Sequence, residues 1–249
     1  MIPLVSIYDE PICGEEEVLV DEYCQVTKAI EGRRWEQFLQ LMASGHVSVE
    51  DCDTDLLHTL CAHRPPNHIV ERILKKNPSL VSSRDCEMRT PLHVAIECGA
   101  SSGVIRRLLS VDPTAAELKD SEGRTPLILA CGEMGREEYE SKEHEKLRVH
   151  RLTKAIRLMA QIAPQSSIIE DDDEMTALEH AISCDAPIEI VKELQKVTAR
   201  SMMQVDRRRR RHTMDVASPV SYESTSDSSN DESAFFSERR QSRRSAMSL

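Results

Sequence analysis

The sequence predicts an all-α fold, a stack of short helix pairs, and three observations support this prediction. Only 3% of the 249 residues are aromatic although 39% are hydrophobic, so the core has to be built from aliphatic residues, as in small repeated helices that pack closely. Segments of the sequence recur at a spacing of 35 residues, which indicates a repeat architecture. Each repeat holds two short apolar stripes at helical spacing, and such short helices become stable only when neighbouring repeats stack.

Two independent segments set the spacing of 35 residues. The sequence RTPLHVA at residues 89–95 recurs as RTPLILA at residues 124–130. Later in the unit, IVERIL at residues 69–74 matches VIRRLL at residues 104–109. One step upstream, DLLHTL at residues 55–60 keeps the leucine and the histidine but lacks the Thr-Pro pair.

Beyond residue 130 both anchors shift by the same amount. MTALEHA at residues 175–181 lies 51 residues after its counterpart, and Pro164 lies 51 residues after Pro113. Both shifts exceed the repeat of 35 by 16 residues. One insertion of that length therefore lies between Met134 and Leu152.

A Thr-Pro pair in the sequence marks the start of the first helix of a repeat. Thr90 supplies an oxygen for the helix N-cap, and Pro91 is tolerated at the first helical position because its missing N–H would be unpaired anyway. The apolar face of this helix holds Leu92, Ala95 and Ile96. A second helix follows the turn at residues 99–103 and ends before Pro113. Its apolar positions are Ile105, Leu108 and Leu109.

These motifs, TPLHxA at residues 90–95 and DxxGxTPL at residues 120–127, resemble the ankyrin repeat, whose unit is about 33 residues long. The resemblance covers about residues 51–206 within a domain at residues 23–206. It implies about four repeats, near residues 51–84, 85–119, 120–170 and 171–206, after an atypical N-terminal cap of two helices at about residues 26–30 and 35–42.

The resemblance also implies β-hairpin fingers that project from the helix stack, at residues 83–89, 119–124 and 170–175. Met88 and Glu174 stand where the family has a turn glycine, so we expect these two fingers to be less regular. The first repeat has Leu56 in place of the motif proline. Ile128 and Glu179 replace the motif histidine.

The insertion and both ends of the chain depart from the repeat pattern. The insertion, residues 135–150, is highly charged but nearly neutral in net charge. We expect it to form a solvated helical extension with ion pairs such as Glu138 with Lys142. The alternative is that it acts as a docking arm. Residues 1–22 are strongly acidic, and residues 207–249 are rich in arginine and serine. We expect both segments to be disordered, and residues 218–233 in the second are polar with almost no apolar residues.

Composition and short motifs exclude several classes of protein. The formal net charge of −11 disfavours a general nucleic-acid binder. No stretch approaches the ~20 apolar residues of a membrane span, and the first residues lack the basic region of a secretory signal. The eight cysteines form no Cys-x-x-Cys pair, so we expect reduced thiols in a cytoplasmic and/or nuclear protein.

Candidate catalytic and metal sites were weighed and set aside. His58, Cys61, His63 and His68 have the residue types of a zinc site, but the resemblance places His58 in a structural histidine position. Cys98 or Cys131 with His93 would need an orienting carboxylate and an oxyanion site. The acidic residues 171–174 lack the alternating oxygens of a calcium loop. We therefore expect no enzyme, no metal and no cofactor.

The predicted function is that of a non-catalytic scaffold, a monomer that binds another protein on the concave ankyrin surface. By the resemblance, the residues facing that partner are Glu87, Arg89, Glu97, Glu122, Arg124, Glu133, Asp172 and Met175. Most of these residues are acidic, which favours a partner with a basic patch.

An arginine run forms the other prominent motif. Three interpretations stay open for it: a signal bound by a nuclear-import receptor, an RNA or membrane-surface contact, or a solvated linker. The run consists of Arg207, Arg208, Arg209, Arg210 and Arg211. Thr213 and Ser242 follow arginine pairs and are candidate phosphorylation sites. The alternative function is a nucleus-directed regulatory protein that contacts nucleic acid through this tail.

Overall fold

A computed structural model describes residues 25–44, 55–135 and 142–215, with side chains up to residue 210. The described residues up to 209 belong to one compact unit, and the end of the last helix belongs to a second. Ten helices and four short 3-10 helices make up the described part of the chain, without a strand in it. The predicted all-α solenoid is confirmed.

Two helices precede the repeats: α1 (residues 25–31) and α2 (Trp35–Ala43). Their buried residues, among them Ile30 and Phe38, belong to the common core. The predicted N-terminal helix pair is therefore present and packs as a cap on the repeats.

Four helix pairs follow. They are α3 (Leu56–Ala62) with α4 (Asn67–Lys76), α5 (Pro91–Glu97) with α6 (Ser102–Val111), α7 (Pro126–Gly132) with α8 (Lys142–Ile162), and α9 (Ala177–Ser183) with α10 (Ile188–Asp215). The first helices of the pairs form an inner row in the order α3, α5, α7, α9, and α4, α6 and α8 form an outer row. Short 3-10 helices follow three of the outer helices, at Pro78–Ser82, Pro113–Glu117 and Pro164–Ile168.

Capping residues explain why the inner helices begin where they do. Thr125 accepts a hydrogen bond from the N–H of Ile128 at 3.3 Å. Thr176 makes the same contact with Glu179, whose carboxylate accepts from the N–H of Thr176 at 2.7 Å. This reciprocal capping box gives Glu179 the role that a histidine has in the motif.

The core consists of aliphatic side chains at the predicted positions. Leu92, Leu108 and Leu109 are completely buried, and Ile96 and Ile105 are 2% exposed. Fully buried alanines lie between the inner helices, where their small side chains allow close packing. They include Ala95, Ala130, Ala177 and Ala181.

The turns that precede α5, α7 and α9 share one geometry. Each begins with an aspartate whose carboxylate accepts hydrogen bonds from the backbone N–H groups two and four residues later, at 2.8–3.1 Å. The three aspartates are Asp85, Asp120 and Asp171. In each turn the aspartate N–H also donates to the carbonyl four residues on.

The expectation that two of these turns are less regular is wrong. Met88 and Glu174 adopt the left-handed conformation with φ of 59°, close to the 72° of Gly123. A non-glycine residue in this region costs about 1–3 kcal/mol, but hydrogen bonds to a charged carboxylate contribute comparable stabilisation. An antiparallel β-bridge joins Glu170 to Thr176 in the third turn. Longer hairpin fingers stay a prediction.

The fourth repeat continues further than expected from the sequence. Helix α10 runs on to Asp215, so residues 207–211 lie in the helix rather than in a tail that starts after the last repeat. Residues 1–22, residues 136–141 with Glu138, and residues 216–249 lie outside the described part of the chain.

Candidate functional site

Contacts between neighbouring turns hold the finger turns, residues 85–89, 120–124 and 171–175, in one row: hydrogen bonds join the first two, and close packing joins the second and third. Arg84 donates to the carbonyl of Lys119 at 2.7 Å, and the N–H of Ser121 donates to the carbonyl of Glu87 at 3.0 Å. Asp172 lies directly against Gly123, where a Cβ would collide with its carboxylate. The finger turns therefore form one fixed rim.

Arg89 stabilises the first finger turn and connects it to its inner helix. Its guanidinium contacts Asp85 at 2.9 Å, Glu87 at 3.2 Å and Glu97 at 2.9 Å. Burial acts to raise the pKa of Asp85, but the hydrogen bonds from Arg89 outweigh it and hold that pKa below its usual range. Arg89 and Glu97 are thus partners of one another within the protein before any ligand binds.

The second finger turn repeats this arrangement. Arg124 contacts Asp120 at 2.9 Å and Glu122 at 2.8 Å. The side chain of Glu122 is still 65% exposed, and that of Glu87 is 59% exposed. The carboxylates at the turn tips therefore face solvent although an arginine orients each of them.

Replacing Glu122 with glutamine is expected to change the free energy of unfolding by no more than ~0.5 kcal/mol, because exposed ion pairs contribute little. Urea unfolding monitored by circular dichroism measures this change, with Glu87→Gln as the matched variant in the preceding finger turn. A loss of about 1.5 kcal/mol or more, three times the expected change, would show that the tip carboxylate is structural.

In the third finger turn a histidine from α9 takes the place of the arginine as the partner of the turn aspartate. Met175 occupies the position of Arg89 and Arg124, and its own backbone N–H and carbonyl bind Asp171. His180 on α9 contacts Asp171 instead, with 2.6 Å between Nε2 and Oδ2. Burial opposes ionisation of Asp171, but the bond from His180 and two backbone N–H groups keep its pKa lowered. The loss of arginine at residue 175 is the sequence signal that could have identified His180.

Two histidines connect the inner helices α3 and α5 to the next finger turn, as the structural interpretation predicted. Nε2 of His58 lies 2.8 Å from the carbonyl oxygen of Arg89, and Nε2 of His93 lies 3.1 Å from that of Arg124. The N–H of Thr90 donates to Nδ1 of His93, so Nε2 carries the proton in the neutral ring. Burial lowers the pKa of His93 to about 4.

The candidate thiols lie in surroundings that oppose thiolate formation. Cys61 and Cys131 are completely buried. Burial raises the pKa of both thiols, that of Cys131 to about 12, and it also raises the pKa of Cys98. A nucleophilic cysteine needs a lowered pKa. Among the described residues, no group of three or more His, Cys, Asp or Glu side chains could hold a metal ion.

The inserted segment forms the first turns of α8, and Arg148 connects it to the repeats. Arg148 pairs with the carboxylate of Glu133 just beyond the end of α7, and its guanidinium also donates to the Glu133 carbonyl. The Glu133 side chain is only 10% exposed. Arg148 therefore covers the Glu133 side chain, whereas residues 142–147 at the start of α8 are exposed, as expected of a solvated helical extension.

Two clefts lie along the inner row. One, of about 410 Å³, lies between α7 and α9 and is lined by Arg124, Leu129, His180 and Cys184 among others. The other, of about 420 Å³, lies between the end of α5 and the extension of α8. The inner row is thus bordered by the finger turns at the start of its helices and, at their ends, by α8.

The side chains of Arg207, Arg208, Arg209 and Arg210 are exposed on α10. Arg211 and Thr213 belong to the same helix, and Ser242 lies outside the described residues. No helix in the described part of the chain is both long and apolar enough to cross a membrane.

Comparison with known proteins agrees with this architecture. Residues 57–140 match a family model described as ankyrin repeats (3 copies), and no curated protein matches the chain. Ankyrin repeats generally mediate protein–protein interaction, and proteins that contain them are typically non-enzymatic scaffolds. The matched residues begin in α3 and run past the end of α7, which covers the Thr-Pro helices and the first two finger turns. Over these residues the chain is similar to the ankyrin-repeat family.

Proposed function

We propose that this protein is a non-catalytic adaptor that binds one partner protein on its concave surface, meaning the finger turns and the exposed side of the inner row. The observation that carries this proposal is the row of finger turns, which presents Glu87 and Glu122 at equivalent positions and the exposed Asp172 in the adjoining third turn. A surface that is ordered before binding loses little conformational entropy on binding.

The charge of the rim indicates the chemistry of the partner. Glu87 and Glu122 are largely exposed, and residues 172–174 are three further exposed acids. Arg89 and Arg124 are already paired with carboxylates inside the rim, so the outward charge is negative. The partner face that lies on the finger turns should therefore be basic, since complementary potentials speed association and favour the correct orientation.

Capture from cell lysate by the immobilised full-length chain tests this function. The test variant removes three tip charges, Glu87→Gln, Glu122→Gln and Asp172→Asn. The control variant removes three exposed charges away from the finger turns, Glu36→Gln, Glu117→Gln and Glu189→Gln. We expect a discrete protein to be retained by the wild type and the control, at two salt concentrations and after nuclease treatment, and to be lost from the test variant. Equal capture by both variants would contradict binding at the rim.

The alternative is a nucleus-directed protein that contacts nucleic acid through residues 207–211. The side chains of residues 207–210 are exposed on α10, which leaves them accessible for such a contact. Replacing all five arginines with glutamine separates the two functions in the same capture experiment. Loss of capture in this variant together with sensitivity to nuclease would replace the adaptor by a nucleic-acid binder. We propose that either function is carried out in the cytoplasm and/or the nucleus.

A further inference from the structure

Two arginines from distant parts of the sequence meet at the loop that follows α5. The side chain of Arg64, from the loop after α3, donates from Nε to the carbonyl of Cys98. The side chain of Arg151, from α8, donates from Nη1 to the carbonyl of Gly99 at 3.4 Å. Neighbouring carbonyls thus bind both side chains.

The two guanidinium groups lie close together. A Cβ built on Gly99 would lie 3.8 Å from Nη1 of Arg151 and 3.9 Å from Nη2 of Arg64. Both nitrogens are therefore within 4 Å of a single position beside the loop. The two nitrogens are therefore no more than about 7.7 Å apart, and an anion between them would offset the repulsion of the two like charges.

Carboxylates do not supply this compensation in the described part of the chain. Neither Arg64 nor Arg151 forms an ion pair with a described residue. The two acids nearby are engaged elsewhere, since Glu97 pairs with Arg89 and Glu133 pairs with Arg148. The side chain of Arg64 is exposed and that of Arg151 is partly exposed, so a ligand can reach both.

The space beside the arginines is a cleft of about 420 Å³ with an apolar wall. Ile96, Leu147 and Leu152 line it together with the two arginines. Leu147 is 47% exposed and has room to contact a ligand. Glu97, His144 and Arg148 also line the cleft, with Glu97 paired to Arg89 and Arg148 paired to Glu133. Arginine groups beside an apolar surface suit an anionic side chain followed by an apolar one.

We propose that Arg64 and Arg151 form an oxyanion site that takes a carboxylate or phosphorylated side chain of a partner peptide. A guanidinium group presents a planar fork of N–H donors that matches the oxygens of carboxylate and phosphate. An oxyanion placed between the two forks neutralises both charges, and the carbonyls of Cys98 and Gly99 already hold the arginines in position.

The site gives the insertion a role. The first residue of α6 is Ser102, and the residue 51 positions later is Thr153. Arg151 therefore lies in the part of α8 that precedes the start of the equivalent helix, directly after the insertion at residues 135–150. In the second repeat the residue equivalent to Arg151 is Ala100, which precedes α6 rather than lying in a helix.

The site also predicts how a partner lies on the protein. Inner helices of seven residues are about 10 Å long, with acidic finger turns before their first residues and the arginine pair after the last residue of α5. A partner segment that crosses the concave surface would place basic groups over the finger turns and an acidic group in the arginine site. This reading of the partner rests on the proposed function, whereas the oxyanion site itself can be tested alone.

Nuclear magnetic resonance titration of the full-length, ¹⁵N-labelled chain provides the test. The probes are the capped amino acids N-acetyl-phosphoserine amide and N-acetyl-aspartate amide, each added at constant ionic strength. The proteins are the wild type, Arg64→Gln, Arg151→Gln and the control Arg72→Gln, which removes an exposed arginine from α4. We expect saturable shifts of the Gly99 and Cys98 amides in the wild type and the control, and at least tenfold weaker binding in the two site variants.

The outcomes separate the sources of the oxyanion. Preference for the phosphoserine probe supports a phosphorylated partner, and preference for the aspartate probe supports an acidic one. The proposal is overturned if neither probe shifts Gly99, if the site variants bind as well as the wild type, or if only a single-stranded oligonucleotide shifts Gly99. Spectra that are unchanged away from the cleft show that the variants are folded.

The proposed function fails in a different experiment. If the probes do not bind but the lysate partner is still lost when the three tip charges are removed, the oxyanion site is wrong and the adaptor function stands. If the probes bind as expected but the tip variant captures as well as its control, binding at the rim is wrong and the oxyanion site stands.

Discussion

Replacing Leu108 with alanine is expected to lower the free energy of unfolding by about 2–5 kcal/mol, the range for a leucine deleted from a well-packed core. Leu108 is completely buried in α6, and α6 packs against both α4 and α8. Its removal leaves a cavity between three outer helices. Leu92→Ala on α5 is expected to have a loss in the same range.

Urea unfolding monitored by circular dichroism measures the loss at Leu108. The matched control is Leu147→Ala, because Leu147 is also helical but 47% exposed, and its replacement should change stability by no more than ~0.5 kcal/mol. Equal midpoints for the two variants would mean that the repeat register derived from the 35-residue spacing is wrong.

Stability is expected to fall by about 3 kcal/mol between pH 6.5 and pH 4 through His93 alone, at 1.36 kcal/mol for each unit of pKa shift. Burial lowers the pKa of this histidine from 6.5 to about 4. In that window the unfolded chain binds a proton at His93 while the folded chain does not, so acid favours unfolding. Below about pH 4 both states are protonated and the loss from His93 is complete.

Urea unfolding at a series of pH values tests this dependence. His93→Gln removes the titrating group and should flatten the curve between pH 6.5 and 4, although the variant itself is less stable. His150→Gln removes an exposed histidine and should leave the curve as in the wild type. An unchanged slope in His93→Gln would contradict the assignment.

The carboxylates of the finger turns act in a separate, more acidic window. The pKa values of Asp85 and Asp171 are held below the ordinary 3.8, because hydrogen bonds to the carboxylates outweigh their burial. Their stabilisation is present above the unfolded pKa and is lost as the pH falls through the lowered folded values. The loss from His93 should therefore precede the loss from the finger turns during acidification.

Local signals in the sequence determined the repeat fold. The Thr-Pro helix starts, the apolar stripes and the 35-residue spacing located the inner and outer helices and their buried leucines. Each cap and each apolar stripe involves residues close together in the chain, so both can be recognised in the sequence without the tertiary structure. The structural role of His58 followed from the same register.

Contacts between distant residues decided the rest. A turn glycine could be replaced by Met88 because the Asp85 carboxylate holds the backbone, and His180 could replace an arginine because α9 brings it to Asp171. The charge pattern of the insertion predicted a helix but not where it packs.

The position of the insertion depends on residues far apart in the chain. Arg151 meets Gly99 across 52 residues, and Arg64 meets Cys98 across 34. The sequence by itself determined that this protein is a stack of helix pairs with an acidic finger rim. Only the tertiary structure decided that Glu133 is covered and that two arginines lie together beside α5. The stacking of the repeats sets the distances between these residues, and the energy of each contact depends on those distances.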